Sequence, residues 1–415
     1  MRSVAALKDT LTIIMAGGQG ERLYPLTRDR AKPAVPFGGI YRIIDFTLSN
    51  CLNSGCGRVC VLTQYKSYSL DRHLILGWSP VFNMPERGSY LHIIPPQMRT
   101  GNTWYLGTAD AIFQNVYTLE REKPARVLIL AGDHIYKMDY GAMVQFHIET
   151  KAAITVACVS VEKAEASQLG IAVVDAESRI KGFVEKPKEN PPTLPDDPNH
   201  CLASMGIYVF DTEELVRRVS RDARRETAHD FGKNIIPEMV DEGARVFAYR
   251  FKDENKKRIP YWRDVGTMDS YYEANLDLIK PDPLFNLYDN DWPTHTYIER
   301  VPPAKFVHNE PGPSGRRGMA ADSIIAHGCI VSGGAVFRSV LSPLVRVNSF
   351  SVVEDSILME GVDIGRHARV RKAIIDKGVR IPEGARIGYD PEADRKRFAV
   401  SASGVVVVPK EMALE

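Results

Sequence analysis

Thr12-Ile13-Ile14-Met15-Ala16-Gly17-Gly18-Gln19-Gly20-Glu21-Arg22-Leu23 is the stretch on which the fold turns. Residues 12–16, apolar and partly β-branched, read as a buried strand, and the strand runs into three glycines within four positions. Glycine permits positive φ and close approach of the backbone, so the amides of such a turn can face a phosphate. The loop is neither of two better-known kinds. A Walker loop ends in Gly-Lys-Ser/Thr, which is absent, and a dinucleotide loop needs glycine where Leu23 stands.

Working outward, strands and helices alternate up to about residue 280. Ile43–Ser54 reads as a helix, 58–63 as a strand and 67–76 as a helix again. Residues 108–120 read as one helix with Thr108 as its cap, and Arg126–Ala131 as a strand ending at Gly132-Asp133-His134. This alternation predicts an α/β fold, a mostly parallel, Rossmann-like sheet with helices on both faces. Ligands gather at the carboxyl ends of such strands, where both the glycine loop and Asp133 fall.

Past residue 320 the helical period disappears. Apolar residues recur as Ile325, Val331 and Phe337, then Val347 and Val353, Ile364 and Val370, and Ile375, Ile381 and Ile387, many of them six apart. A six-residue period with small residues between marks a parallel β-helix, each hexapeptide forming one side of a coil. A meander of short strands shares that period, but the scarcity of helix signals favours the solenoid. Its coils are expected to be left-handed, against the usual crossover preference. The expected division is a sheet domain over 1–280, a linker rich in proline, glycine and charge over 281–318, and a C-terminal left-handed β-helix over 319–415.

Bulk composition narrows the function. The chain has 415 residues, enough for two domains, and 53 basic against 52 acidic residues give a net charge of +1. That balance lacks the basic excess of a nucleic-acid binder. No apolar run is long enough for a membrane span, and the N-terminal residues show no secretory pattern, so a cytoplasmic protein is expected. Six cysteines do not make a disulfide framework in a chain of this length. The cluster Cys51, Cys56 and Cys60 matches no standard zinc spacing, and buried small hydrophobes are the expected reading.

Four residues outside the glycines carry candidate chemistry. Arg22 lies just past the loop and Lys32 follows in Ala31-Lys32-Pro33-Ala34. Cations converging on a triphosphate would stabilise charge on departing pyrophosphate; solvated surface charges would look the same in sequence. Asp133, at a strand end, and Asp264, in Tyr261-Trp262-Arg263-Asp264-Val265-Gly266-Thr267, would hold Mg²⁺ if their strand ends meet. Spacing alone leaves each open to being an ordinary turn residue.

Taken together, the segments resemble the glucose-1-phosphate adenylyltransferases, or ADP-glucose pyrophosphorylases, of bacterial glycogen synthesis. The resemblance spans nearly the whole chain. It rests on Arg42-Ile43-Ile44-Asp45-Phe46, Trp104-Tyr105-Leu106-Gly107-Thr108-Ala109-Asp110-Ala111, the stretch 130–140, Phe183-Val184-Glu185-Lys186-Pro187, Ala203-Ser204-Met205-Gly206 and the segment holding Asp264. It implies a nucleotidyltransferase sheet domain and a Mg²⁺-dependent reaction of ATP with glucose 1-phosphate. Gly17 and Gly18 would hold the nucleotide, with Arg22 and Lys32 on its triphosphate. Gln97 matches an adenine-contacting loop, and Tyr105 and Gly170 match ADP-glucose contacts. Glu185, Lys186 and Ser204 match the sugar-phosphate pocket, and Asp133 and Asp264 the magnesium carboxylates.

The resemblance further implies a homotetramer, in which solenoids contribute contacts, and regulation by phosphorylated or carboxylate metabolites. Arg30, Arg42 and Lys410 stand where relatives place basic residues for a phosphorylated activator. Arg121 matches an AMP contact, and Lys377 stands where an arginine is found. Asp29 and Pro36 depart, since relatives selective for fructose 1,6-bisphosphate have Lys and His there. An aspartate beside a phosphate site repels the ligand, so the activator's identity stays open.

Other readings compete. UDP-N-acetylglucosamine or GDP-mannose synthesis would keep the fold and change the base or sugar. A catalytically silent regulatory subunit is opposed by the intact Arg22, Lys32, Asp133, Lys186 and Asp264. An acyltransferase would need a catalytic histidine in the solenoid, where His327 and His367 lie without evident acyl-CoA contacts. The stretch 217–225 reads as a solvated basic face, and His229-Asp230 as structural rather than as a phosphohydrolase pair.

Overall fold

The computed structural model describes residues 6–97, 103–310, 312 and 315–414. The opening strand runs Thr10–Met15 and lies well inside a sheet. It pairs in parallel with Arg58–Leu62 on one side and Arg126–Ala131 on the other, and Arg58–Leu62 pairs in parallel with Tyr90–Ile94. Both faces are covered. Leu128 and Leu130 enter one apolar core while Val127 and Ile129 enter another, as period-two side chains must. Hence the strand reads as a continuous apolar run.

Beyond Arg126–Ala131 the sheet reverses direction. The long strand His200–Asp211 runs antiparallel to it, and also pairs with Gly170–Val174 and Ile154–Glu162. Ile180–Glu185 and Val246–Arg250 complete nine strands among the described residues. The register of His200–Asp211 shifts between Ser204 and Tyr208, where Gly206 has a φ of +69° that only glycine takes without strain. A separate two-stranded ribbon pairs His134–Tyr136 with Trp262–Asp264 and sets His134 opposite Asp264. That ribbon gathers chemistry from distant parts of the chain.

Two helical expectations need correcting. The stretch 67–76 begins as the α-helix Tyr68–His73 but continues as the wider π-turn Leu74–Trp78. The extra residue per turn puts His73 and Trp78 on one face, where Nε2 and Nε1 lie 2.6 and 2.8 Å from the same buried oxygen of Asp45. Residues 108–120 form two helices, Thr108–Phe113 and Val116–Glu122. Asn115 lies at the break, its side chain donating to Ala111 O and Tyr105 Oη. Gly107, not Thr108, occupies the cap. The Thr108 hydroxyl donates instead to Asp230 and accepts from the Phe231 amide, each at 3.0 Å.

The arginines of 217–225 do more than face water. Arg218 is buried, and with Arg221 and Arg225 it ties Thr212–Asp222 to Glu238 and Glu242 beyond. All six cysteines are free and buried, in line with the small-hydrophobe reading.

The second part is a three-faced parallel β-helix. Val331, Val347, Ile364 and Ile381 stack in register on one face, Val336, Val353, Val370 and Ile387 on the next, and Leu341, Leu358 and Ile375 on the third. All are buried. One inward position was expected at Phe337. The ladder takes Val336 there, because the middle residue of the strand Ala335–Phe337 points inward and Phe337 points out. At one corner Ser323, Ser339 and Ser356 form a ladder, each hydroxyl accepting a backbone N–H of the next coil. The first strand of the solenoid, Lys305–Val307, already lies inside the stretch expected as linker, pairing with Ile330–Ser332.

The two parts meet across an apolar seam. Ile357, Ile374 and Val407 point outward from the third face and join a core with Phe37, Tyr271, Tyr272 and Leu278. The helix Met268–Asp277 supplies the tyrosines, its end fixed by a capping box between Thr267 and Ser270.

Candidate active site

The glycine loop leaves the first strand and turns into the short helical segment Glu21–Leu23. Gly20 makes the turn at φ +64°, and a Cβ there would stand 2.9 Å from Lys32 Cβ. Thr27 fixes the turn by donating its hydroxyl to Gly20 O at 3.0 Å. Among the described residues, the amides of Gly17, Gly18, Gln19 and Gly20 have no protein acceptor. They line a cleft of about 570 Å³ together with Arg22, Lys32, Thr108, Asp133 and Gly266. Unpaired amides on one wall and cations on another form a seat for a polyphosphate.

Lys32 is buried at the centre. Its Nζ donates to Asp133 Oδ2 at 2.9 Å and to Asp264 Oδ1 at 2.8 Å, and Arg22 Nη2 lies 3.5 Å from the other oxygen of Asp264. The ribbon pairing brings these two carboxylates together, as the metal expectation required. Burial alone would lower the Lys32 pKa, but the two aspartates outweigh it and leave it raised. Burial likewise opposes the charge on both aspartates. Lys32 and His134 overcome it and hold both below their ordinary range.

A divalent cation fits this donor set. Ligand atoms of Asp133, His134 and Asp264 lie within 4.8 Å of one another, and the Lys32 ammonium between the carboxylates is a stand-in for positive charge. Two hard oxygen ligands with room for water suit a small divalent metal.

A second cleft, of about 340 Å³, opens on the other side of Lys32 and Asp133. Gly170, Glu185, Lys186 and Ser204 all line it, from the hairpin Gly170–Val174/Ile180–Glu185, the residue after it and the bulged strand. Glu185 approaches Lys186 at 3.5 Å. Burial raises the Glu185 pKa, and Asp230 adds to the rise while Lys186 opposes it. Sequence reading missed His134, Gly206, Tyr208, Asp230 and Trp262 on this wall. Asp230 does perform the structural role expected, accepting the amides of Gly232 and Lys233, yet it also faces the cleft.

Other expected residues fall elsewhere. Gln97 and Arg121 share a third cleft of about 240 Å³ with Asn115, whose side chain donates to Tyr105 Oη. Gln97 does not line the glycine-loop cleft. Arg42 and Lys377 line a cleft between the two parts of the molecule, and Pro36 lines it too. Arg30 is beside that cleft but is committed to Asp376. Lys410 Nζ pairs with Glu411, its carbonyl accepts from Arg28, and Asp29 pairs with Arg28.

Comparison with known proteins follows the same division. A nucleotidyl transferase family model matches residues 11–280, and a model of the GlmU-like C-terminal hexapeptide matches 302–408, in keeping with a left-handed β-helix. The chain is 53% identical over 407 residues to a glucose-1-phosphate adenylyltransferase of Koribacter versatilis (strain Ellin345), covering 98% of this chain and 96% of the relative. It is 54% identical to one of Rhodopirellula baltica, covering 97% and 90%, and 51% identical to glucose-1-phosphate adenylyltransferase 2 of Vibrio cholerae, covering 97% and 98%.

Proposed function

The chain belongs to the nucleotidyl transferases, among the glucose-1-phosphate adenylyltransferases, and on that premise we propose that it converts ATP and α-D-glucose 1-phosphate into ADP-glucose and pyrophosphate. This is the regulated first step of glycogen synthesis. The observation that carries the reading is the Lys32–Asp133–Asp264 junction, which stands where a polyphosphate cleft and a sugar-sized cleft meet.

The chemistry is an in-line displacement at the α-phosphate of ATP. The attacking oxygen belongs to a phosphate monoester that is already anionic at neutral pH, so no strong general base is needed. The chain's task is to position and to neutralise. Gly17 and Gly18 offer amides to the triphosphate while Arg22 and Lys32 bear on the departing pyrophosphate. Lys186 receives the sugar phosphate, with Glu185, Ser204 and Gly170 orienting the glucose. Gln97 and Tyr105 serve the adenine and product ends. Mg²⁺ held by Asp133 and Asp264 supplies charge neutralisation across the phosphates when bound.

Regulation belongs to the cleft between the two parts, with Arg42 and Lys377 as its cations, Arg30 behind them, and Arg121 and Lys410 as outlying contacts. The ligands are phosphorylated or carboxylate metabolites, AMP among them. The assembly is a homotetramer. Phe306, in register with buried Val331 yet 45% exposed at the open end of the solenoid, supports a contact there, because an uncapped solenoid end is apolar. Among the described residues no helix is long and apolar enough to cross a membrane, and six free cysteines suit a reducing cytoplasm. Pyrophosphate release from ATP and glucose 1-phosphate with Mg²⁺ tests the reaction. A strong preference for UTP with N-acetylglucosamine 1-phosphate, or for GTP with mannose 1-phosphate, would replace it.

A further inference from the structure

Between the sheet domain and the solenoid lies a cleft lined by Arg42 and His73 on one side and by His327, Glu360 and Lys377 on the other. Its free volume is about 70 Å³, against about 570 Å³ for the glycine-loop cleft. A carboxylate takes up the cationic end. Glu360 Oε2 accepts from Lys377 Nζ at 2.5 Å. Burial opposes charge on Glu360, but Lys377, Arg42 and Arg72 together outweigh it and hold the carboxyl below its ordinary range. Arg42 donates to the Ser69 carbonyl at 2.8 Å and reaches Glu360 only through space. Arg30 also bears on Lys377, although Asp376 neutralises it.

We infer that Glu360 is a resident anion of this cleft, holding beside Lys377 and Arg42 the place that an anionic effector must take from it. The inference rests on the reading of the cleft as the effector site. Two anions cannot share so small a space without strong repulsion, so binding exchanges one for the other. Glu299 adds a second carboxylate to the lining. Displacing Glu360 therefore frees Lys377 and Arg42 for one compact anionic group, a carboxylate or a single phosphate ester.

The test is calorimetric titration of the full-length protein, its active site saturated with ADP-glucose, with pyruvate, fructose 6-phosphate and fructose 1,6-bisphosphate. Glu360→Gln keeps the side chain's shape and removes its charge. The expected result is about ten-fold tighter binding of a single-anion probe, with Glu360→Ser tightening it likewise. Unchanged affinity in both variants, where Lys377→Gln weakens binding, overturns the role of Glu360 and leaves the effector site standing. If Lys377→Gln leaves binding of every probe unchanged, or none binds, the effector reading falls and the resident anion with it.

Discussion

Nη2 of Arg30 lies 2.7 Å from both carboxylate oxygens of Asp376, and both side chains are buried where the sheet domain meets the solenoid. A buried guanidinium matched to a carboxylate is costly to break from one side, since the remaining charge is left without a partner or water. Arg30→Met should therefore lower stability by about 3–5 kcal/mol in denaturant unfolding. A loss below about 1 kcal/mol would show the pair to be slack. With the larger loss, any change in effector response acts through the seam, because this guanidinium is spent on Asp376.

Asp133→Asn should nearly abolish turnover, by about a hundred-fold or more, while the fold survives. The amide keeps the shape and the Lys32 contact but loses the charge. Mn²⁺ titration of the same variant should show weakened metal binding. Near-normal turnover, or unaltered Mn²⁺ affinity, would remove Asp133 from the metal site.

Much of this centre was legible because it lies at strand ends. The apolar run 12–16 with its glycines and the strand Arg126–Ala131 located the loop and Asp133 from local pattern alone. That Asp264 meets Asp133 depends on a ribbon between distant segments, which no local period encodes. Asp45 was illegible for the same reason. It accepts from its near neighbour Arg42 N but also from His73, Trp78 and Thr296, and the π-turn that aligns two of them answers to this tertiary demand. The wall residues Tyr208, Asp230 and Trp262 carry no motif of their own. Tyr208 follows the bulge at Gly206, Asp230 is held by Thr108, and Trp262 is carried by the ribbon, so each reaches the cleft through a contact distant in sequence.

Lys32→Met should destabilise the protein in a pH-dependent way. Asp133 and Asp264 have depressed pKa values in the folded state, so their contribution is present above the unfolded carboxylate value and lost as pH falls through the folded ones. Lys32 has a raised pKa, so its contribution is present below the unfolded lysine value and lost as pH rises through the folded one. The deficit should be greatest from about pH 5 to about pH 10. With the carboxylates about a third exposed, about 2 kcal/mol is expected there. Below about pH 5 it should shrink, because without Lys32 one carboxylate takes up a proton to relieve repulsion. A deficit independent of pH from 4 to 8 would mean that lost packing, not charge, is responsible.

The register of the solenoid gives the last test. Val336 is fully buried in the ladder with Val353 and Val370, while Phe337 beside it points outward and is partly exposed. Sequence period alone favoured Phe337 as the inward residue, so the two positions separate the alternatives. Val336→Asp places a carboxylate among aliphatic side chains with no partner, and should unfold the solenoid or cost at least about 3–5 kcal/mol. Phe337→Asp loses part of an apolar contact at the surface and should cost about 1 kcal/mol or less. Thermal unfolding of the two variants side by side reads the difference directly. Equal losses, or the larger loss at Phe337, would place the coil one residue out of register from the ladder described above.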